Sequence, residues 1–80
     1  MNRIVEIGSK YRHFKGMIVE VIAIGKDSET LDDVVIYKHD NQVWVRNMTD
    51  FLSETDHDKY PEVKQKYRFE KLDIIKKEEK

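Results

Sequence analysis

The sequence predicts an all-β protein, a small SH3-like β-barrel of five or six strands with one short helical turn. Valine and isoleucine together number sixteen, whereas leucine and alanine together number four, and this β-branched excess favours strands over helices. Short apolar runs also recur along the chain with glycine, asparagine or aspartate between them, which is typical of small barrels. A small β-sandwich would give the same pattern, so the sequence leaves that alternative open.

Six short runs have the alternation or the β-branched composition of strands. They are residues 4–7, 11–14, 17–24, 34–37, 43–46 and 63–70. Because successive side chains of a strand point to opposite faces, Tyr11 and His13 are predicted to share one face and Arg12 to lie on the other.

Two of these runs carry further predictions. Residues 17–24 are largely apolar on both alternating faces, with Glu20 as the one charge, which predicts a central strand covered on both sides. Residues 63–70 alternate apolar with charged side chains. We therefore expect Tyr67 and Phe69 to close the barrel by pairing with an earlier strand.

The connections between the runs follow from turn residues. A tight turn is predicted at residues 15–16, where glycine supplies a positive φ, and a second at residues 39–42. The other connections are an acidic loop over 25–33, one helical turn over 47–52 and another acidic loop over 53–62. The helical turn is expected to bury Met48 together with Phe51 or Leu52.

Length and composition restrict the organisation and the location. Eighty residues make one domain, which we assign to residues 1–70, with residues 71–80 as a charged C-terminal extension. The chain has no cysteine, which excludes disulfides, thiolate metal sites and a cysteine nucleophile. No apolar run reaches the roughly 18 residues of a membrane span, and the first residues do not lead into a signal peptide. We therefore expect a cytoplasmic protein that does not enter the membrane.

The formal net charge is −1, which argues against a general nucleic-acid binder, because such proteins neutralise phosphates with many lysines and arginines. The charges are nevertheless uneven, and the segments 10–15 and 64–71 are basic. If these segments adjoin in the fold, they form one positive face. A nucleic-acid-binding accessory role that uses both segments is therefore the alternative function.

Five short motifs occur in an order that is more specific than any one of them alone. They are Tyr11-Arg12-His13-Phe14-Lys15-Gly16, Ser28-Glu29-Thr30, Val35-Ile36-Tyr37, Trp44-Val45-Arg46 and Tyr67-Arg68-Phe69. With these motifs the chain resembles the bacterial family of domains of unknown function 1653, over roughly residues 8–70. The resemblance implies a small, stand-alone, β-rich bacterial protein of SH3-like form, and it brings no assigned activity.

The chain also departs from the pattern of that family. Asn47 stands where the family usually has a proline, Asp27 where a histidine is usual, and Val19 where a tyrosine is usual. The connection between Tyr37 and Trp44 is also shorter than usual. A function that depended on those missing groups is not expected here.

Trp44 and Arg46 are the first candidates for binding residues. If Val43 and Val45 point into the core, alternation places Trp44 and Arg46 together on the outside. There the indole could stack on a ligand and the guanidinium could form a two-pronged contact with an anion. The competing interpretation makes Trp44 the core anchor of a tiny barrel, with Arg46 packed over it.

The segment around residues 11–15 supplies the remaining candidates. If it adjoins the Trp44 strand, Tyr11 and Trp44 could sandwich a flat or apolar group, while Arg46, Arg12 or Lys15 meets an anionic one. His13 is either a ligand-binding or acid–base group, or a histidine that is hydrogen-bonded inside a turn. The complete set of candidate ligand-binding residues is Tyr11, Arg12, His13, Lys15, Trp44 and Arg46.

No catalytic, cofactor or metal site is predicted. Residues 56–58 (Asp-His-Asp) and 39–40 (His-Asp) are metal-ligating types, but each lies in a polar loop without a second cluster at ligand spacing. There is no recognisable nucleophile arrangement and no phosphate-binding loop, with only three glycines in the chain. We therefore predict a non-enzymatic binding module that recognises a protein segment or a small ligand through an aromatic and cationic face.

Overall fold

A computed structural model describes residues 4–72, which form one antiparallel sheet of five strands and one short helix. The elements are β1 (Lys10–His13), β2 (Ile18–Lys26), β3 (Asp33–His39), β4 (Gln42–Asn47), α1 (Met48–Phe51) and β5 (Phe69–Lys71). The first four strands follow one another as hairpins, and β5 returns to pair with β1, which gives the order β4-β3-β2-β1-β5. The all-β prediction, including its one helical turn, is confirmed.

The predicted closed barrel is wrong. Among residues 4–72, β4 and β5 lie at opposite edges of the sheet and do not pair, whereas a barrel requires its two edge strands to join. The short β5, three residues long, offers little backbone for such a closure. The sandwich alternative is also wrong, because these strands form one sheet rather than two. The SH3-like description stays a prediction.

One face of the sheet, the inner face, forms the core with α1 and the N-terminal segment. The buried residues of this core are Val5, Tyr11, Val19, Val21, Val35, Tyr37, Phe51 and Phe69. Phe51 of α1 is fully buried and stacks on Phe69 at 4.2 Å between ring centroids. Tyr11 meets the Phe51 ring edge-on at 5.3 Å. The core is therefore an aromatic cluster in which α1 covers the inner face.

The opposite, outer face of the sheet is exposed. Val43 is 58% and Val45 is 63% exposed, so the assumption that these two valines point into the core is wrong. Ile22 is 41% exposed, so the prediction that this strand is covered on both sides is also wrong. The ladder shifts register between Val21 and Ala23, and this β-bulge leaves Ile22 as an extra residue on β2.

The predicted turns and the helical turn agree with the structure. Gly16 has a φ of +103°, and its amide donates to the carbonyl of His13 at 2.7 Å. Asp40 and Asn41 have φ values of +56° and +63°, as a two-residue type I′ hairpin turn requires. Asn47 caps α1, because its side-chain oxygen accepts the Thr49 amide at 2.8 Å.

The two end runs were predicted less well. Residues 4–7 are not a strand, although Val5 is buried in the core. Of the predicted strand over 63–70, only the end is found, as part of β5, and Tyr67 makes one isolated bridge with Glu54. The C-terminal extension was predicted over residues 71–80. Its first residue, Lys71, belongs to β5, and residues 73–80 lie outside the part of the chain that the structure describes. Within 4–72, no helix is long and apolar enough to cross a membrane.

Candidate functional site

Trp44 stands on the inner face at the open edge of the sheet. The two-residue turn sets the β3–β4 register, which pairs Trp44 with Tyr37 and Arg46 with Val35. The Trp44 side chain is therefore aimed over the inner face, where it is 47% exposed and donates from Nε1 to the His39 carbonyl at 3.4 Å. Trp44 is thus not the buried anchor of the core.

A cavity of about 170 Å³ opens beside Trp44, and we call it the aromatic cavity. Its apolar walls come from Trp44 and Tyr37, from Met17 just before β2 and Val19 within it, and from Phe69 of β5. Its polar groups belong to His13, His39 and Arg46. An apolar depression with a few convergent polar groups is the usual form of a ligand site.

Arg46 is held in position at the base of the aromatic cavity. Its guanidinium pairs with Asp50 of α1, lies 5.5 Å from the centroid of the Phe69 ring and makes a long 3.5 Å contact with the Tyr37 hydroxyl. Partial burial opposes the charged form, but the hydrogen bonds to Tyr37 and Asp50 outweigh it and raise the pKa of Arg46. The arginine therefore presents a fixed positive charge to the cavity.

His13 is the one buried imidazole of the site, at 7% exposure. Burial, and after it the nearby positive charges of Arg46, Arg68 and Lys15, together lower its pKa from 6.5 to about 4. Its Nδ1 accepts the Lys15 amide at 3.1 Å, so the neutral ring carries its proton on Nε2. His13 therefore offers one uncharged N–H donor to the site at neutral pH.

A second depression, the cationic pocket, shares His13 and Arg46 with the aromatic cavity. It has a volume of about 280 Å³ and is otherwise lined by Phe14, Lys15, Asp56, Lys59, Tyr60 and Arg68. Four cationic side chains thus face a single lining carboxylate. Such a charge balance favours an anionic ligand.

Four of the six predicted candidates lie around these two depressions. His13 and Arg46 line both of them, Trp44 lines the aromatic cavity, and Lys15 lines the cationic pocket. A sandwich of a ligand between Tyr11 and Trp44 is wrong, because β2 and β3 separate β1 from β4 and Tyr11 is only 2% exposed and packs on Phe51.

Arg12 also lies apart from the two depressions, because alternation turns it to the outer face. There it is exposed, and its register partners are Ile18 of β2 and Glu70 of β5.

Several lining residues were not predicted from the sequence. Tyr37 and Phe69 were assigned to strands but not to a site, and Lys59 and Tyr60 lie in the segment 53–62, which was predicted only as an acidic loop. The available signal was the Lys59-Tyr60 pair itself, a cation beside an aromatic residue within an otherwise acidic segment. Arg68 belonged to a basic segment that was considered only for nucleic acid.

The two basic segments do adjoin in the fold. β1 pairs with β5, the Phe14 amide donates to the Arg68 carbonyl at 3.0 Å, and the Gln65 side chain donates to the Arg12 carbonyl at 2.9 Å.

Within the described residues, no group of three histidines and acids is placed to hold a metal ion. Asp56 instead accepts the amides of Asp58 and Lys59, at 3.2 Å each.

Comparison with known proteins gives a family but no described relative. The model of the family described as protein of unknown function (DUF1653) matches residues 9–71, which include every strand and the helix. No curated protein and no solved structure matches the chain.

Proposed function

This chain belongs to the family of proteins of unknown function DUF1653, and we propose that it is a non-enzymatic binding module that recognises a protein segment through the aromatic cavity. The observation that carries the proposal is a half-exposed tryptophan beside a fixed arginine, in a cavity at the open edge of the sheet. Tryptophan and arginine are enriched among the residues that dominate binding energies.

The size of the cavity favours a protein segment over a free small molecule. Its volume of about 170 Å³ is below the roughly 300–1,000 Å³ that is usual for small-ligand pockets. Such a cavity accommodates one side chain or one ring. A segment that inserts one apolar side chain and gains its other contacts outside the cavity meets this limit.

The edge strand β4 provides those other contacts. His39 and Gln42 close a two-residue hairpin, so alternate residues along β4, Val43 and Val45 among them, turn their backbone N–H and C=O groups away from β3. Within residues 4–72 no strand pairs with this edge. An extended segment added there would run beside Trp44, in the manner of β-strand addition.

The charge of Arg46 specifies a further feature of the segment. Arg46 keeps about a third of its side chain exposed, 32%, while it pairs with Asp50. An acidic group near the inserted side chain would share the guanidinium with Asp50, with His13 as an additional neutral donor. We therefore expect a segment with an apolar residue next to an acidic one.

Selection from a phage-displayed library of random octapeptides tests this proposal. The selected peptides, the winners of that selection, are synthesised, and their affinities are measured by the fluorescence of Trp44, the only tryptophan. Trp44→Ala, read by competition or calorimetry, should weaken binding by about 30-fold or more, the scale of a hot-spot residue. Arg46→Lys should weaken binding of acidic winners, because lysine cannot make the two-pronged contact.

The matched control is Val45→Ala, on the same strand but on the outer face. It should leave the affinity within about twofold, since Val45 points away from the cavity. Thermal melts establish that each variant is folded. Winners that bind Trp44→Ala as tightly as the wild type would show that the cavity does not recognise them.

A nucleic-acid-binding accessory role is the second candidate, and the adjacency of the segments 10–15 and 64–71 supports it. Fluorescence anisotropy with a labelled dodecathymidylate is the appropriate assay. Binding should weaken steeply between 50 and 200 mM salt, about tenfold for a few phosphate contacts. Loss of that binding in Lys64→Gln/Lys66→Gln would support this role, whereas no binding at 50 mM salt would exclude it.

A further inference from the structure

Two ammonium groups of the cationic pocket share one aromatic ring. Lys15 Nζ lies 5.4 Å and Lys59 Nζ lies 5.6 Å from the centroid of Tyr60. Within residues 4–72 neither ammonium has a carboxylate oxygen within 4.0 Å, as the four ion pairs found there involve other lysines and arginines. Two positive charges thus lie at the Tyr60 ring with no ion-pair partner in the part of the chain that the structure describes.

The acidic groups nearby are already engaged. Asp50 pairs with Arg46 and lies 3.9 Å from Arg68 Nε. Asp56 lines the pocket, but one of its oxygens accepts two backbone amides of its own loop, at 3.2 Å each. The pocket therefore keeps a net positive charge on a protein whose formal net charge is −1.

Three rings in successive contact line one side of the pocket: Tyr60, Phe14 and His13. Tyr60 lies 5.0 Å from Phe14, and Phe14 stacks on His13 at 4.5 Å with 30° between the ring planes. His13 adds a neutral N–H donor to the four cationic side chains. Lys15 and Lys59 lie beside these rings and are both exposed.

We propose that the cationic pocket binds the phosphate group of a phosphate monoester, with Lys15, Lys59 and Arg68 as its main charged contacts. A phosphate monoester carries close to two negative charges at pH 7, which matches two unpartnered ammonium groups. Its three terminal oxygens can accept hydrogen bonds from several directions at once. A single carboxylate has fewer acceptor positions and half the charge.

This site is separate from the one in the proposed function, because Lys15, Lys59 and Tyr60 line only the cationic pocket. A failure of peptides to bind at Trp44 would therefore not contradict phosphate binding in the cationic pocket. Phe14 and Tyr60 line the cationic pocket beside the lysines, so a ring attached to the phosphate has an aromatic surface next to it. The ligand class is a phosphate monoester that carries a flat or apolar group.

Phenyl phosphate is the probe, titrated into ¹⁵N-labelled protein at pH 7.5 while backbone amide shifts are followed by NMR. We expect saturable shifts centred on Lys15, Lys59 and Tyr60. Phenyl sulfate has nearly the same shape but one negative charge, and it should bind at least about tenfold more weakly if the dianion is required. Inorganic phosphate should shift the same amides at higher concentration.

Lys59→Gln should reduce the affinity for phenyl phosphate at least about fivefold, and Lys15→Gln should do the same. Lys64→Gln removes one positive charge outside the pocket and is the matched control, expected to stay within about twofold. Equal losses in Lys59→Gln and Lys64→Gln, equal affinities for the phosphate and the sulfate, or shifts that do not saturate would each overturn the proposal. Tighter binding of dodecathymidylate at the same amides, also lost in Lys59→Gln, would assign the pocket to nucleic-acid phosphodiesters instead.

Discussion

Gly16 shows how a single residue enables the hairpin that delivers His13 and Lys15 to the site. Its φ of +103° lies in a region that residues with a Cβ rarely adopt. A Cβ built there would meet no atom within 4 Å, so any loss on substitution comes from the backbone rather than from a clash. Gly16→Ala should therefore lower the free energy of unfolding by about 1 kcal/mol or somewhat more.

Gly25 provides the matched control for this prediction. It lies in β2 without a positive φ, and a Cβ there would make ordinary contact with Ile36 Cδ1 at 3.6 Å. Gly25→Ala should leave stability equal or slightly higher, because alanine restricts the unfolded chain more than glycine does. Urea denaturation of both variants gives the comparison, and equal effects would contradict the backbone explanation.

Local sequence rules predict one part of the site and leave another part open. The turn glycine and the sharing of one face by Trp44 and Arg46 follow from local rules, and the structure has both. Which face is the core does not follow from alternation, because Val43 and Val45 are as apolar as the core requires. The packing of Phe51 onto the inner face decides that, and Phe51 lies in a different element.

At the scale of elements, β5 is the least well predicted part of the sheet. Residues 63–70 alternate as a strand should, yet only Phe69–Lys71 form one. The Gln65 side chain donates to the carbonyls of Arg12 and Tyr67, at 2.9 Å each, so a side chain takes the place of ladder bonds before β5 begins. Such competition between side chain and backbone is invisible to a periodicity argument.

The short β5 should nevertheless be essential for folding. Phe69 is 1% exposed and stacks on Phe51, and the loss of a buried phenylalanine costs about 3–5 kcal/mol, against about 5–15 kcal/mol for a whole domain. Truncation after Lys66 should abolish the cooperative thermal melt, whereas truncation after Leu72 should preserve it. Phe69→Ala in the full chain separates the loss of the ring from the loss of the strand, and a cooperative melt of the Lys66 truncation would refute this role.

At the scale of the whole molecule, the open sheet was missed because closure is not a local property. Turn spacing and strand composition are the same for an open sheet and a barrel of five strands, and the difference depends on whether β4 and β5 meet. The open edge at β4 creates the binding site that we propose. Val43 and Val45 point to the outer face of this edge strand, where they are exposed.

The electrostatics of the site should also set how stability responds to acid. The pKa of His13 is about 4 in the folded protein, lowered from 6.5 by burial and by the positive charges around it. Below pH 6.5 the unfolded chain therefore binds a proton at this residue that the folded chain does not take up until about pH 4. Stability should fall as the pH drops from about 6.5 to about 4, and the contribution of His13 should then level off.

Urea denaturation at pH 7, 5.5 and 4.5 measures this loss, which we expect to be on the order of 2 kcal/mol because solvent in the cavity screens part of the effect. His13→Gln should remove most of the slope in this range, whereas His57→Gln, in an exposed loop, should retain it. The pKa of Glu6 is lowered by its hydrogen bond and charge interaction with Lys71, and that of Asp27 by the Glu29 and Thr30 amides. Those carboxylates lose their stabilising effect as pH falls below the ordinary carboxyl range, so their contribution comes mainly at lower pH. An unchanged slope in His13→Gln would show that the buried imidazole does not control the acid response.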